Sequence, residues 1–385
     1  MPENSTNKNK RDPIPNRIVT LLWVRAGGRC EYDGCNQLLY KDDITLKQLN
    51  KSYIAHIIAA SPNGPRGDSV KSKELQKDIS NLMLLCDTHH RLIDDKVHQE
   101  EYTIERLTEM KQKHECRIER LTSIHNDKKS LIVTYGANIA DNQPLFQSEI
   151  LKSVIAETHY PAEEYSTDLE LKSIYNEKDP NYWQTETDTL ERKVKDLLDR
   201  LNNNQNRISH ISLFALAPMP LLVKLGTLLP ELYDIEVYQR FREPKGWNWQ
   251  KPTTATVDNP FIINSPTVTS GQPILVLSIS APIRERVYKL YENQSADIWE
   301  VTIENPRIDI LRYKKQIIYF KDTIRRVFQE LKRLYPTSTL NVHMAMPNSC
   351  AIEFGRVWMP KADLPLVLFD FFQGEEHETI KISNK

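Results

Sequence analysis

A small metal-stapled domain followed by a larger, layered α/β domain is the architecture that three features of the 385-residue chain predict. Two closely spaced pairs of metal-binding side chains, Cys30 with Cys35 and Cys86 with His89, fall in one short stretch near the start. From residue 131 onward apolar strand-like runs alternate with helical patterns, which is how a largely parallel sheet covered by helices reads. A strand, proline, glycine unit occurs twice in that second region, at 211–230 and 340–360. The length exceeds the ~100–150 residues of a typical single domain, so two domains are expected.

The elements follow in order. Residues 14–27 place Ile18, Leu21 and Leu22 at helical spacing, with Arg25 on the polar rim, and stop at Gly27-Gly28. Ile44 to Ile58 reads as strand, and Ser61-Pro62-Asn63-Gly64-Pro65-Arg66-Gly67 as a loop on turn chemistry. Ile79 to Leu85 is a tight apolar run, and a helix begins between Cys86 and Asp94. Ile104, Leu107, Met110, His114, Ile118 and Leu121 recur at helical intervals over 101–124 and end the first domain. His98, His114 and His125 are expected to be surface or helix-packing residues. Polar HNDKKS (125–130) marks the boundary, giving domains 1–127 and 128–385. LIVTYGANI (131–139) then reads as a buried strand, with a helix around 147–157. Helical patterns at 190–201, 284–292 and 314–334 alternate with strands at 208–217, 274–280, 338–346 and 365–372.

In the duplicated unit Pro218 is followed eight residues later by Gly226, and Pro347 by Gly355, each glycine preceding a further proline, Pro230 or Pro360. Two related halves facing each other would form a cleft at the carboxyl ends of parallel strands, where open α/β sheets place ligands.

Between residues 30 and 94 the chemistry is specific. Cys30-x4-Cys35 and Cys86-x2-His89 each deliver two ligands from a tight turn, and thiolates with imidazole make a closed tetrahedral site of the structural zinc type. Side chains of neighbouring helical residues point about 100° apart, so His90 cannot share that metal with His89. His56 lies in the strand YIAHII, on the face opposite its two neighbours, and Asn81 lies in ISNLMLL just before the helix carrying His90.

These residues, AHI, then SN, then LCDTHHRLID, resemble the His-Asn-His (HNH) nuclease motif in its zinc-stapled form, over roughly residues 23–98. The resemblance implies an α+β ββα-metal domain with a structural zinc on Cys30, Cys35, Cys86 and His89. It implies His56 as general base toward an attacking water, a role that suits a side chain titrating near neutral pH. It further implies Asn81 as the residue fixing the loop and reaching the metal, and His90 as ligand of a catalytic Mg²⁺ or similar divalent ion that stabilises charge on the phosphate. Many family members carry an acidic ligand just before the first histidine. Here that residue is Ala55, and Asp94, one turn after His90, is the substitute candidate. Arg66, in the loop after the hairpin, is a candidate phosphate contact.

The second domain holds aromatic residues among cations, above all FREPKGWNWQKP (241–252), where Arg242, Lys245 and Lys251 flank Trp247 and Trp249; Trp183 is a further exposed candidate. Rings beside cations suit a nucleotide, by stacking on bases and pairing with phosphates. The domain order and the units LFALAPMPLLVKLG and VHMAMPNSCAIEFG are similar to the HNH and SAVED fusion effectors of bacterial CBASS anti-phage systems. That resemblance implies an α/β SAVED domain built from two CARF-like, Rossmann-like halves. It implies a cyclic di- or trinucleotide ligand, touched by Trp183, Pro218, Met219, Arg242, Trp247, Trp249, Met346 and Pro347. Ligand would drive a homo-oligomer whose paired nuclease domains cut double-stranded DNA without sequence preference.

Composition narrows the alternatives. Lys and Arg number 51 against 52 for Asp and Glu, so no global basic field points to nucleic acid. The first thirty residues are locally basic, with Lys8, Lys10, Arg11, Arg17, Arg25 and Arg29 against Glu3 and Asp12, and such an arm suits phosphate contacts. No apolar run nears the ~18 residues that cross a bilayer and the polar start lacks a secretory signal, so a cytoplasmic protein without membrane contact is expected. Two rival readings remain: a restriction nuclease whose second domain reads modified DNA, and a non-catalytic zinc knuckle on an α/β adaptor. A more basic second domain would favour the first of these, and residues 131–385 are slightly acidic.

Overall fold

The computed structural model describes residues 13–383 except 99, 125–127, 140–143, 171–174, 176, 204–207, 230–232 and 253–257. Part of the basic arm (Lys8, Lys10 and Arg11), His125 and Pro230 therefore lie outside the described residues. The chain forms two compact units, residues 1–125 and 126–385.

Unit 1 opens with helix α1 (Asn16–Arg25), whose Leu22 is buried. Strand β1 (Ser52–His56) follows, then the short α2 (Lys71–Glu74), a 3₁₀ turn at Ile79–Asn81, strand β2 (Leu82–Cys86) and helix α3 (Asp87–Ile93). Helix α4 (Ile104–Thr122) closes the unit, with Thr103 capping it through its hydroxyl to the Arg106 amide. β1 and β2 pair antiparallel, Ser52 opposite Cys86 and His56 opposite Leu82. Leu22, Leu39, Ile57, Leu82, Leu84, Ile93, Leu107 and Met110 share one core.

The strand expected from Ile44 begins only at Ser52. Asp42 takes the amides of Ile44 and Thr45 into a side-chain-capped turn, and Ile44 and Leu46 are 91% and 62% exposed. Their β-type composition has no sheet to pack on.

Unit 2 contains two sheets of matching topology. The first half runs β3 (Lys129–Gly136), α5 (Ser148–Ile155), β4 (Tyr160–Pro161), β5 (Thr167–Asp168), α6 (Tyr182–Asn203), β6 (His210–Leu216), α7 (Met219–Leu228) and β7 (Asp234–Tyr238). The second runs β8 (Ile262–Asn264), β9 (Gln272–Ser278), α8 (Arg284–Leu290), β10 (Ala296–Thr302), α9 (Lys314–Leu334), β11 (Leu340–Ala345), α10 (Asn348–Val357), β12 (Leu366–Phe372) and β13 (Glu375–Ile382). Strand order is β4-β3-β6-β7 in one sheet, with β5 also on β3, and β13-β12-β11-β9-β10-β8 in the other. The parallel path β10-β9-β11-β12 repeats β4-β3-β6-β7, while β8 and β13 are antiparallel edges. Strands buried on both faces read as continuous apolar runs, which is why β3, β6, β9 and β11 were legible.

The duplicated unit is the strand–helix pair β6–α7 and its counterpart β11–α10. Pro218 and Pro347 start the two helices, where a missing N–H costs nothing. The glycines are the contact between them. A Cβ on Gly226 would lie 2.0 Å from the Ile352 carbonyl oxygen, and one on Gly355 2.0 Å from that of Val223. Asn348 Nδ2 donates to the Ala215 carbonyl at the carboxyl end of β6, and Arg356 Nη1 to that of Ile235 near the start of β7, so α10 runs beside α7 in the same direction. The inner faces of both sheets, with α6, α7, α9 and α10, form one continuous core. Helices α5 and α8 cover the outer faces over separate small clusters. No helix among the described residues is long and apolar enough to cross a membrane.

Candidate functional site

In unit 1 the turn after α1 presents Cys30 and Cys35. Gly34 takes the left-handed φ of +81° that this turn demands, and the Cys35 amide bonds back to the Tyr32 carbonyl. Cys86 ends β2 and starts α3, so His89 follows one turn along. The knuckle is tied to β2 by the Glu31 amide on the Leu84 carbonyl at 2.9 Å. One donor atom from each of Cys30, Cys35, Cys86 and His89 lies within 4.8 Å of the others, and His89 Nδ1 is 3.1 Å from the Cys86 sulfur and 3.7 Å from that of Cys30. The Tyr32 ring stacks on His89 at 3.9 Å and is anchored by its hydroxyl to Tyr102 at 2.7 Å.

Burial pushes the thiols of Cys30 and Cys35 up and lowers the His89 imidazole. Such surroundings reject isolated thiolates, and three sulfurs with one imidazole at these distances fit a tetrahedral divalent ion of the zinc type, which would offset that charge.

The other predicted residues lie in the same strand–strand–helix unit. His56 ends β1, and its Nε2 donates to the Gln76 carbonyl at 3.0 Å, because a carbonyl can only accept. In the neutral ring Nδ1 is then the bare lone pair. His90 stacks on Tyr53 at 5.0 Å. Tyr53 and Ala55 share one face of β1, so the face His90 meets is the one from which Ala55 offers no ligand. His56 points to the other face by alternation and ends β1, whereas His90 meets Tyr53 near the start of that strand.

Asn81 is a clamp. Its Oδ1 accepts from the Ile58 amide at 2.7 Å, and its Nδ2 donates to the carbonyls of Ile58 and Leu75 at 2.9 and 3.2 Å. The expected reach of Asn81 to a metal is therefore corrected: its amide is spent on fixing the loop. Asp94 is engaged through one oxygen, its Oδ1 holding the Arg66 guanidinium at 2.8 Å. Ala55 carries no donor atom, and His90 is not among the clustered metal-binding groups of the described residues.

Arg66 is not the exposed phosphate contact that its loop suggested. Its side chain is 5% exposed, and Nε and Nη1 donate to the carbonyls of Ile57 and Ile93, each at 2.7 Å. All three nitrogens thus brace the end of β1 against α3.

In unit 2 the structure brings Pro218 and Met219 to the carboxyl end of β6 and Met346 and Pro347 to that of β11. Pro218, Met346 and Pro347 are buried, and Met219 and Asn348 are half-buried. Both N-cap residues are prolines that make no side-chain cap, and in the first turn of α10 the Ser349 amide is taken by Gln239. The positive dipole ends of two neighbouring helix starts favour an anion.

The aromatic set does not converge there. Trp247 is 5% exposed and packs in the outer cluster, edge-on to Phe214 at 5.2 Å, so it is a core residue rather than a base-stacking one. Trp183 lines a cavity of about 820 Å³ with Lys195, Lys224 and Lys381. Trp249 lines a different cavity of about 310 Å³ with Lys251 and Lys314. Arg242 lies on an exposed loop held by its backbone amide on Asp309. Sequence reasoning missed Gln239, buried at the start of α10, whose Oε1 accepts both the amide and the hydroxyl of Ser349. It also missed His159, His210 and Glu236, whose separation along the chain gives no motif.

Residues 190–382, half of the chain, match the model of the family described as "SMODS-associated and fused to various effectors sensor domain", or SAVED. Solved structures that this chain matches include the Cap4 SAVED/CARF-domain containing receptor of Acinetobacter baumannii with the cyclic trinucleotide 2′3′3′-cAAA. That match has 14% identity and a TM-score of 0.44, and covers 82% of this chain and 67% of that one. The same receptor with 3′3′3′-cAAA gives 13%, 0.45, 83% and 68%. The Moraxella osloensis Cap4 receptor gives 12%, 0.36, 82% and 66%. No curated protein matches the sequence.

Proposed function

The chain belongs to the SAVED sensor family, and from that premise we propose that unit 2 senses a cyclic oligonucleotide and unit 1 is an HNH endonuclease that it switches on against double-stranded DNA. Two of the Acinetobacter baumannii Cap4 receptor structures carry cyclic trinucleotides, and a cyclic di- or trinucleotide is the ligand class proposed here. Its phosphates would lie at the neighbouring starts of α7 and α10, over Met219 and Asn348.

The observation that carries the nuclease reading is the His56 hydrogen bond. With Nε2–H fixed on the Gln76 carbonyl, Nδ1 is the free base that takes a proton from an attacking water. Asn81 and Arg66 hold the strand end on which His56 sits. His90 provides the imidazole for a divalent ion, which when bound supplies charge stabilisation on the phosphate. The Cys30, Cys35, Cys86 and His89 cluster would hold a structural zinc that fixes α3 and hence His90. Because a nuclease must stay silent until its signal arrives, ligand has to bind the active state better than the resting one, and assembly into a larger homo-oligomer with paired unit 1 domains is the proposed active state.

Incubating plasmid DNA with the protein, a panel of divalent ions and a panel of cyclic di- and trinucleotides tests this. Cleavage is expected with one ligand and no cleavage without it. His56→Ala should lower the rate by about 10²–10⁴-fold and leave ligand affinity unchanged. Full cleavage by that variant removes His56 from its role, and cleavage that follows base modification without ligand supports the DNA-reading rival.

A further inference from the structure

We propose that His159, His210 and Glu236 of unit 2 form a second metal site, for a divalent transition ion of the zinc class. One donor atom from each lies within 4.8 Å of the others. His210 opens β6, Glu236 lies on β7, and His159 lies in the turn between α5 and β4, its amide bonded back to the Ile155 carbonyl at 2.9 Å. The sheet register sets their meeting. His210 pairs with Asp234 and Ser212 with Glu236, so His210 and Glu236 share one face of neighbouring strands.

The environment is built rather than incidental. Farther along the same face the strands present Ile132, Phe214 and Tyr238 to an apolar cluster, yet at this end they carry Ser130, Ser212 and His210, all buried. His210 Nδ1 is 2.9 Å from Ser130 Oγ, which is 2.7 Å from Ser212 Oγ. His159 Nδ1 is 2.8 Å from Thr158 Oγ1. Each Nδ1 has a hydroxyl neighbour, which leaves Nε2 for a ligand, and on His210 the serine pair orients the ring as outer hydrogen bonds orient metal-binding histidines. Glu236 supplies the anionic donor. Its present partner, Lys314 at 2.7 Å, has a largely exposed ammonium arm that can swing into water. Glu236 and Thr158 also line the cavity of about 310 Å³, which leaves a fourth position for water or an incoming donor. Two imidazoles, one carboxylate and an open position are a zinc ligand set, and imidazoles select transition ions over magnesium or calcium.

The two imidazoles stack at 3.7 Å with planes 14° apart. An ion cannot lie in both planes of such a stack, so binding requires the His159 turn to rotate, and the ion would then tie the end of α5 to β6 and β7.

The full-length chain, stripped by chelation and titrated with Zn²⁺ alone, tests this by counting bound metal. Wild type should hold one equivalent more than His159→Ala or Glu236→Gln, whatever the thiolate cluster holds, and metal-free melting should be the same for all three. Co²⁺ gives a second reading: the extra equivalent should add weak visible bands without the intense near-ultraviolet absorption of cobalt on thiolates. Lys314→Met, by freeing Glu236, should tighten that equivalent about tenfold. Equal zinc in wild type and His159→Ala, or an extra equivalent that survives in the His159→Ala, Glu236→Gln double variant, overturns the proposal.

Discussion

Replacing Gly355 by alanine separates a backbone-tight helix crossing from ordinary packing. The new Cβ would lie 2.0 Å from the Val223 carbonyl oxygen and 3.0 Å from the Gly226 Cα, both backbone atoms that no rotamer change can move. A carbon needs roughly 3.3 Å from a carbonyl oxygen, so α7 and α10 would have to part by roughly 1.3 Å. Overpacking of this kind costs about 1–3 kcal/mol, and the upper end applies because the obstruction is main chain. Alanine in a helix returns about 1 kcal/mol relative to glycine, which leaves a net loss of about 2 kcal/mol. At about 2–4 °C per kcal/mol for a domain of this size, the melting temperature of unit 2 should fall by about 4–8 °C. Thermal unfolding of the full chain, followed by calorimetry, reads this directly. Gly246→Ala is the control, because nothing lies within 4 Å of its Cβ position and its φ is not left-handed. Gly226→Ala should match Gly355→Ala, and the double variant should cost less than the two together, since one separation relieves both clashes. A Gly355→Ala protein as stable as wild type would refute the crossing as described.

Other substitutions test the remaining assignments. Arg66→Gln should destabilise unit 1 by about 2–4 kcal/mol, since it strands buried carbonyls, and leave the salt dependence of DNA binding unchanged. A reduced salt slope with unchanged stability would return Arg66 to the DNA interface. Cys86→Ser should lose the bound zinc and lower the melting temperature of unit 1, and removal of zinc by chelation should do the same to wild type; unchanged melting in both would discard a structural role for the cluster. Trp247→Ala should cost about 3–5 kcal/mol in unit 2, measured by denaturant unfolding, whereas a stable variant with lost ligand affinity would restore Trp247 as a stacking residue.

Much of this was legible because the features concerned act over short stretches of chain. Cys30, Cys35, Cys86 and His89 come as two local pairs, and each pair needs only a tight turn to converge. The Pro218–Gly226 and Pro347–Gly355 spacing was visible as a repeat, and the structure supplies its physical cause, a helix start and a close backbone approach. Where the reading failed, side chains answered to partners distant in sequence. Trp247 sits among polar neighbours in the chain yet packs on Phe214 and Phe146 in the fold. Arg66 looks free in a glycine- and proline-rich loop, but α3 brings it the Ile93 carbonyl and Asp94. Ile44 and Leu46 have strand-forming chemistry and no neighbouring strand, so a local carboxylate cap wins. Residues 375–382 carry three glutamates and form an antiparallel edge, a place where charge is tolerated and apolar periodicity is weak.

The shared interior of unit 2 has a consequence for how a signal can leave it. Two sheets fused through α7 and α10, with bare backbones in contact, behave as one solid piece, and a message from a bound molecule cannot be carried by sliding one half over the other. The pliable parts are the outer covers: α5 and α8 each rest on a private apolar pad of a few residues. Under the sensing proposed above, a bound molecule that nudges either cover would move a lever on a fixed block.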